Sequence, residues 1–96
     1  ENMKTIENNK LIAEFMGFDM IEGNKIISVI KYNQLKVFNP NNSWNWLMEV
    51  IKECYSKKHH QNSYYEVIYY SLADLNIEAV YNACLEFINW YNNQKN

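Results

Sequence analysis

Few side chains in this chain are of types and spacings suited to catalysis. Cys54, His59 and His60 form its only ligand-like cluster. Cys54 and His59 are five residues apart, off the i, i+4 spacing that puts two ligands on one helical face, so no metal site is expected. A nucleophilic cysteine needs a positioned base, and Cys84 instead falls on an apolar helical stripe with no base at a predictable spacing. Glu49 and Glu53 are like charges at i, i+4, which reads as a solvated helix face rather than an acid/base pair. The chain has two glycines, Gly17 and Gly23, so it holds no glycine-rich phosphate cradle. No cofactor and no catalytic residue is assigned, and an enzyme is not expected.

Recognition chemistry is better represented. Eight Tyr, three Trp and four Phe occur in 96 residues, more aromatic surface than a core of this size hides completely. Tyr and Trp supply binding hot spots and stacking platforms. Trp46 lies on the flank of its helix. Trp90 lies on the outer edge of the last helix, and Tyr69 on an aromatic run. These three, with Lys31 as a cation near the sheet, are the candidate binding residues. The competing reading is that Trp44 and Trp46 simply pack the loop at Asn39–Asn42 and the sheet edge.

Composition bounds the alternatives. The chain is 48% hydrophobic, 21% charged and 16% aromatic, the balance of a globular domain. At 96 residues it forms one domain, with residues 1–8 a polar lead-in, and buries roughly 60–65% of its unfolded surface. A net charge of −2 offers no basic face for duplex nucleic acid. The local cluster Lys52, Lys57, Lys58, His59 and His60 reads as a solvated helix end, where cations suit the macrodipole. Two cysteines make no disulfide framework, which points to a reducing, cytoplasmic setting. No apolar run has membrane-spanning length, and no signal-peptide pattern opens the chain. Sixteen asparagines, with abundant Lys, Ile and Tyr, fit AT-rich codons and carry little functional weight.

The elements that must position these residues follow from periodicity and punctuation. Asn8 or Asn9 caps a helix over Lys10–Met16, which Gly17 ends. Phe18–Asn24 reads as a loop. Lys25–Lys31 is β-branched and reads as a strand, with Leu35–Phe38 a weaker partner in a hairpin. Pro40 interrupts the chain, and Ser43 caps a helix from Trp44 to Ser56 or Lys57. Tyr64–Tyr70 (YYEVIYY), aromatic and β-branched, reads as the best strand. Asp74 or Asn76 caps a last helix whose stripe is Ile77, Val80, Tyr81, Cys84, Ile88 and Tyr91. Both strands are apolar on two sides, which implies a sheet covered on both faces. The expected fold is α+β: three helices around a two- to three-stranded sheet in the order α-β-(β)-α-β-α, layered α/β/α.

Three blocks carry a family likeness: Asn9-Lys-Leu-Ile-Ala-Glu-Phe-Met-Gly17, Ser43-Trp-Asn-Trp-Leu-Met-Glu-Val50 and Ile77-Glu-Ala-Val-Tyr-Asn-Ala-Cys-Leu-Glu-Phe-Ile-Asn-Trp-Tyr91. Together they resemble small phage and prophage proteins similar to the phage ABA-sandwich domain. The resemblance implies a layered α/β domain of viral or mobile-element origin and brings no catalytic signature with it. The expected function is therefore a phage-encoded binding protein acting in the cytoplasm of an infected bacterium. Such a protein would inhibit a host defence protein or sequester a nucleotide signal. Sequestering would draw on aromatics with Lys25, Lys31 or Lys36. The alternative is an assembly accessory acting as a homo-oligomer without ligand.

Overall fold

A computed structural model describes residues 2–94 and gives an α+β domain in the order α-β-β-β-α-α-α. The first helix, α1 (Met3–Met16), begins earlier than expected. Asn2 caps it, accepting a hydrogen bond from the Thr5 amide at 2.8 Å. Most of the expected polar lead-in is thus helical, because Ile6 extends the buried stripe of Asn9, Ile12 and Ala13 by one turn. Glu1 lies outside the described residues. Gly17 ends the helix at φ 77°, and its amide reaches back to Ala13 and Glu14, the left-handed closure that favours glycine.

A three-stranded antiparallel meander follows: β1 (Asp19–Glu22), β2 (Ile27–Lys31) and β3 (Gln34–Val37), with β2 in the centre. The first of these replaces the loop expected over Phe18–Asn24. Its alternating DMIE pairs Met20 with Val29 and Ile21 with Ser28. The hairpin β2–β3 turns on Tyr32 and Asn33, both in the left-handed region (φ 52° and 62°), as a two-residue hairpin of matching twist requires. Cross-strand partners share a face, so the sheet has an inner face with Met20, Ile27 and Val29 and an outer face with Ile21, Ser28, Ile30, Leu35 and Val37.

The second helix, α2 (Trp44–Lys57), starts on its Ser43 cap as expected. The third, α3 (Ser63–Ser71), overturns the strand expected at Tyr64–Tyr70. Asn62 accepts from the Tyr65 amide at 2.9 Å, Glu66 sits in the first turn, and Tyr65, Ile68 and Leu72 line up at i, i+3, i+7 against the core. A cap and one packed stripe outweigh the β propensity of the individual residues. A short 3₁₀ turn over Leu72–Asp74 leads to the last helix, α4 (Ile77–Gln94). Its Asn76 side chain accepts from the Ala79 amide, the capping role expected of it.

The core joins all these elements. Ile12, Ala13, Leu47, Val50, Cys54, Ile68, Val80, Cys84, Phe87 and Ile88 are buried together, with Ile27, Val29 and Phe38 from the sheet side. The last helix presents Val80, Tyr81, Cys84, Phe87 and Ile88 inward. The helices α1 and α4 meet edge-on through Phe15 and Phe87. The expected covering of both sheet faces does not occur. The helices stand on the inner side, and the outer face stays open: Ile21 is 54%, Ile30 45%, Leu35 63% and Val37 46% exposed. Two-sided apolarity thus records one core face and one solvent-facing apolar surface.

Candidate binding surface

The hairpin β2–β3 gathers the residues with most capacity for recognition. Lys31, the last residue of β2, points to the inner side and pairs with Glu49 on α2. Its Nζ lies 5.2 Å from the Trp46 ring centroid and 5.3 Å from that of Tyr32, within reach of cation–π attraction. Two of the four expected site residues, Lys31 and Trp46, are therefore neighbours. Open clefts flank them. One of about 600 Å³ is lined by Met16, Phe18, Lys31, Tyr32, Glu49, Lys52 and Glu53. The other, of about 320 Å³, runs past Lys36, Val37, Ser43 and Trp46.

Trp46 is mainly a packing residue. Its Nε1 donates to the Val37 carbonyl at 2.8 Å, and its ring meets Phe38 and Phe18 edge-on at 5.0 and 5.8 Å. The indole thereby occupies an outward-facing carbonyl of β3, one of the sheet's two edge strands. Edge strands invite unwanted pairing, and a bulky ring beside Lys36 limits it.

Tyr69 and Trp90 lie elsewhere, on the α3–α4 side, and neither lines the clefts around Lys31. Tyr69 is exposed and leans edge-on against Tyr70 at 5.5 Å. Trp90 stacks on Tyr64 at 5.6 Å and 21°, closing the outer seam between the two helices. A shallow cleft of about 400 Å³ opens beside that pair among Glu86, Asn89, Asn93 and Gln94.

Cys54, Glu49 and Glu53 each have a partner. Hydrogen bonding with Cys84, then burial, pushes the Cys54 thiol well up from its ordinary value, which suppresses the reactive thiolate. Glu49 is held by Lys31 and Glu53 by Lys57, the latter at 3.0 Å. Lys57 also donates to the Phe15 carbonyl at 3.0 Å and sits over the Phe15 ring, tying α2 to the end of α1. Among the described residues no three His, Cys, Asp or Glu side chains gather as metal ligands, and no helix is long and apolar enough to cross a membrane.

Two features escaped the sequence reading. Tyr32 stands at the hairpin tip, 82% exposed, in a backbone conformation that suits Gly or Asn better than an aromatic residue. The outer sheet face, read as buried, is the largest aligned set of exposed apolar side chains on the sheet: Ile21, Ile26, Ile30, Leu35 and Val37. Its signal was present in the alternation of β3, where Leu35 and Val37 are apolar between the polar Gln34 and Lys36. Comparisons with protein-family models, with curated proteins and with solved structures find no match.

Proposed function

We propose that this chain is a small non-enzymatic binding protein that blocks a partner protein through the open face of its sheet. The observation that carries the reading is the outer face itself. Its apolar side chains stand in register across the strands while the helices cover only the other side. A soluble domain rarely leaves aligned apolar side chains in water without a use for them. The resemblance of its three sequence blocks to phage proteins supports reading this blocking as counter-defence against a host defence protein, inside an infected bacterium.

Sequestering a nucleotide has less support. Lys31, the cation held between Tyr32 and Trp46 at the sheet, already has its charge matched by Glu49, which weakens its pull on a phosphate.

The test is functional. Expressed in a defended bacterial host, the wild-type protein should restore phage plating and co-purify with a host protein. The variant Leu35→Glu/Val37→Glu, shown to be folded by circular dichroism, should lose both. Retention of both by that variant overturns the reading. A nucleotide released on heating would transfer the function to sequestration, and a homo-oligomer with nothing bound would transfer it to assembly.

A further inference from the structure

Three pairs of rings in this chain each hold a lysine. Lys31 lies within reach of Tyr32 and Trp46. Lys57 stands over Phe15 at 4.2 Å and Tyr91 at 5.4 Å, and Lys58 over Tyr55 at 5.2 Å and Tyr65 at 5.8 Å. The stacked pair Tyr64–Trp90 on the α3–α4 seam holds none among the described residues. It does have the counter-charge for one. Glu86 stands one turn before Trp90 on α4 and lines the same cleft of about 400 Å³. Among the described residues Glu86 enters no ion pair. The surroundings share its sign: from Ser63 to Gln94 the chain carries four carboxylates, Glu66, Asp74, Glu78 and Glu86, and no Lys, Arg or His. The next cation, Lys95, lies outside the described residues.

We infer that this cleft takes the guanidinium of an arginine carried by a partner protein. The inference stands apart from the sheet-face reading and concerns a different surface. Tyr64 is 41% exposed, which leaves part of its ring for the guanidinium plane to lie on, with Trp90 stacked behind. The Glu86 carboxylate accepts two of the guanidinium N–H groups, and the side-chain carbonyls of Asn89 and Asn93 accept others. With one carboxylate, three side-chain amides and no cation in its lining, the cleft suits a cationic donor and disfavours a phosphate. Arginine fits better than lysine because its planar fork stacks and donates at once.

The openness of the cleft favours a protein over a free small molecule. None of its lining residues is buried, whereas sites for small ligands enclose most of their ligand. Glu78, also exposed, precedes Glu86 by a little over two turns of α4, about 12 Å at about 1.5 Å per residue. A second basic residue of the same partner therefore meets a carboxylate too.

The probe is a short extended peptide with two arginines four residues apart, about 13 Å at about 3.3 Å per residue. Versions with lysine or neutral citrulline at both positions accompany it. Each is titrated into the ¹⁵N-labelled protein at physiological salt, where charges are screened over about 8 Å. The arginine peptide should shift the Trp90 indole N–H and the Tyr64 and Glu86 amides, with a dissociation constant on the order of 100 μM. The lysine peptide should bind at least about threefold more weakly, and the citrulline peptide should shift nothing. Glu86→Gln should weaken binding about fivefold and Tyr64→Leu about threefold, each variant first checked for folding by circular dichroism. Glu7→Gln, which removes an exposed acid on α1, should change nothing. Equal binding of the arginine and lysine peptides, equal loss in Glu86→Gln and Glu7→Gln, or shifts confined to other elements overturns the inference. Free arginine binding as tightly as the peptide overturns the choice of a protein partner.

Discussion

The Trp46 indole donates to the Val37 carbonyl at 2.8 Å, so one side chain of α2 closes the edge of β3 while the face of that strand stays open. One carbonyl on the β3 edge is thereby occupied, while the apolar side chains of the adjoining face stay exposed. Replacing Trp46 with Phe keeps an aromatic ring against Phe18 and Phe38 but removes the donor. The loss of one hydrogen bond should cost about 1 kcal/mol in denaturant unfolding. The exposed edge should also raise self-association, read by light scattering as a larger weight-average mass at high protein concentration. An unchanged mass would show that Lys36 and strand brevity suffice to guard the edge.

A second prediction concerns the buried amide of Asn9. It is 1% exposed, accepts from the Tyr81 hydroxyl at 2.7 Å and donates to Asn41 Oδ1 at 2.9 Å. Three distant segments, α1, the loop before α2, and α4, meet on this one side chain. Asn9→Leu removes both of its bonds in an interior site and should lower stability by about 2–3 kcal/mol. Tyr81→Phe should cost about 1 kcal/mol, and the double variant less than the sum, since both changes delete the same bond. Additive costs in urea titrations would show that the two side chains act independently.

How much of this was legible in the sequence depends on what set each element. The helices α2 and α4 and the caps Gly17, Ser43 and Asn76 were readable because capping and i, i+3, i+4 periodicity are local. The strand β1 was missed because four residues carry too little periodicity beside the turn chemistry of Glu22, Gly23 and Asn24. In α3 the type itself was misread: Tyr, Val and Ile favour strands residue by residue, while the decisive stripe of Tyr65, Ile68 and Leu72 acquires meaning only against α4. Lys31 and Trp46 were both singled out, but their proximity comes from the hairpin turning back towards α2, which no local pattern encodes. Tyr32 carried a faint signal, since Tyr-Asn between two short apolar runs is a two-residue hairpin connection with an unusual first residue.

Alkaline pH should destabilise the fold through the buried Cys54 and the partly buried Tyr65. Cys54 is pushed up by hydrogen bonding with Cys84 and by burial, and Tyr65 is pushed up mainly by burial. A group with a raised folded value contributes stability that is complete below its unfolded value and fades as pH rises above it. Those unfolded values are 9.0 for Cys54 and 10.0 for Tyr65. Urea midpoints should therefore be flat below pH 9 and fall above it. Cys54→Ala should be less stable at neutral pH by about 1–2 kcal/mol through the small cavity it leaves, and should show a shallower alkaline fall. A fall of equal steepness in Cys54→Ala would assign the effect to other groups.

The hairpin tip offers a test in which stability and binding move in opposite directions. Tyr32 holds φ 52° with its ring almost wholly in solvent, so the fold gains little burial from it and bears the strain of an aromatic residue in the left-handed region. Asn adopts that conformation more readily, and Tyr32→Asn should raise stability by about 0.5–1 kcal/mol, a thermal shift of several degrees for a domain of this size. Strain of this kind persists at positions that serve recognition. The ring stands at the mouth of the cleft lined by Lys31, Glu49 and Lys52, beside the turn that joins the two apolar strands. The stabilised variant should accordingly bind the proposed partner more weakly, in the range of about 5- to 30-fold for the loss of one exposed aromatic contact. Thermal melts and a binding titration on the same preparation decide the matter. A variant that melts higher and binds as well as wild type would make Tyr32 a neutral occupant of its turn.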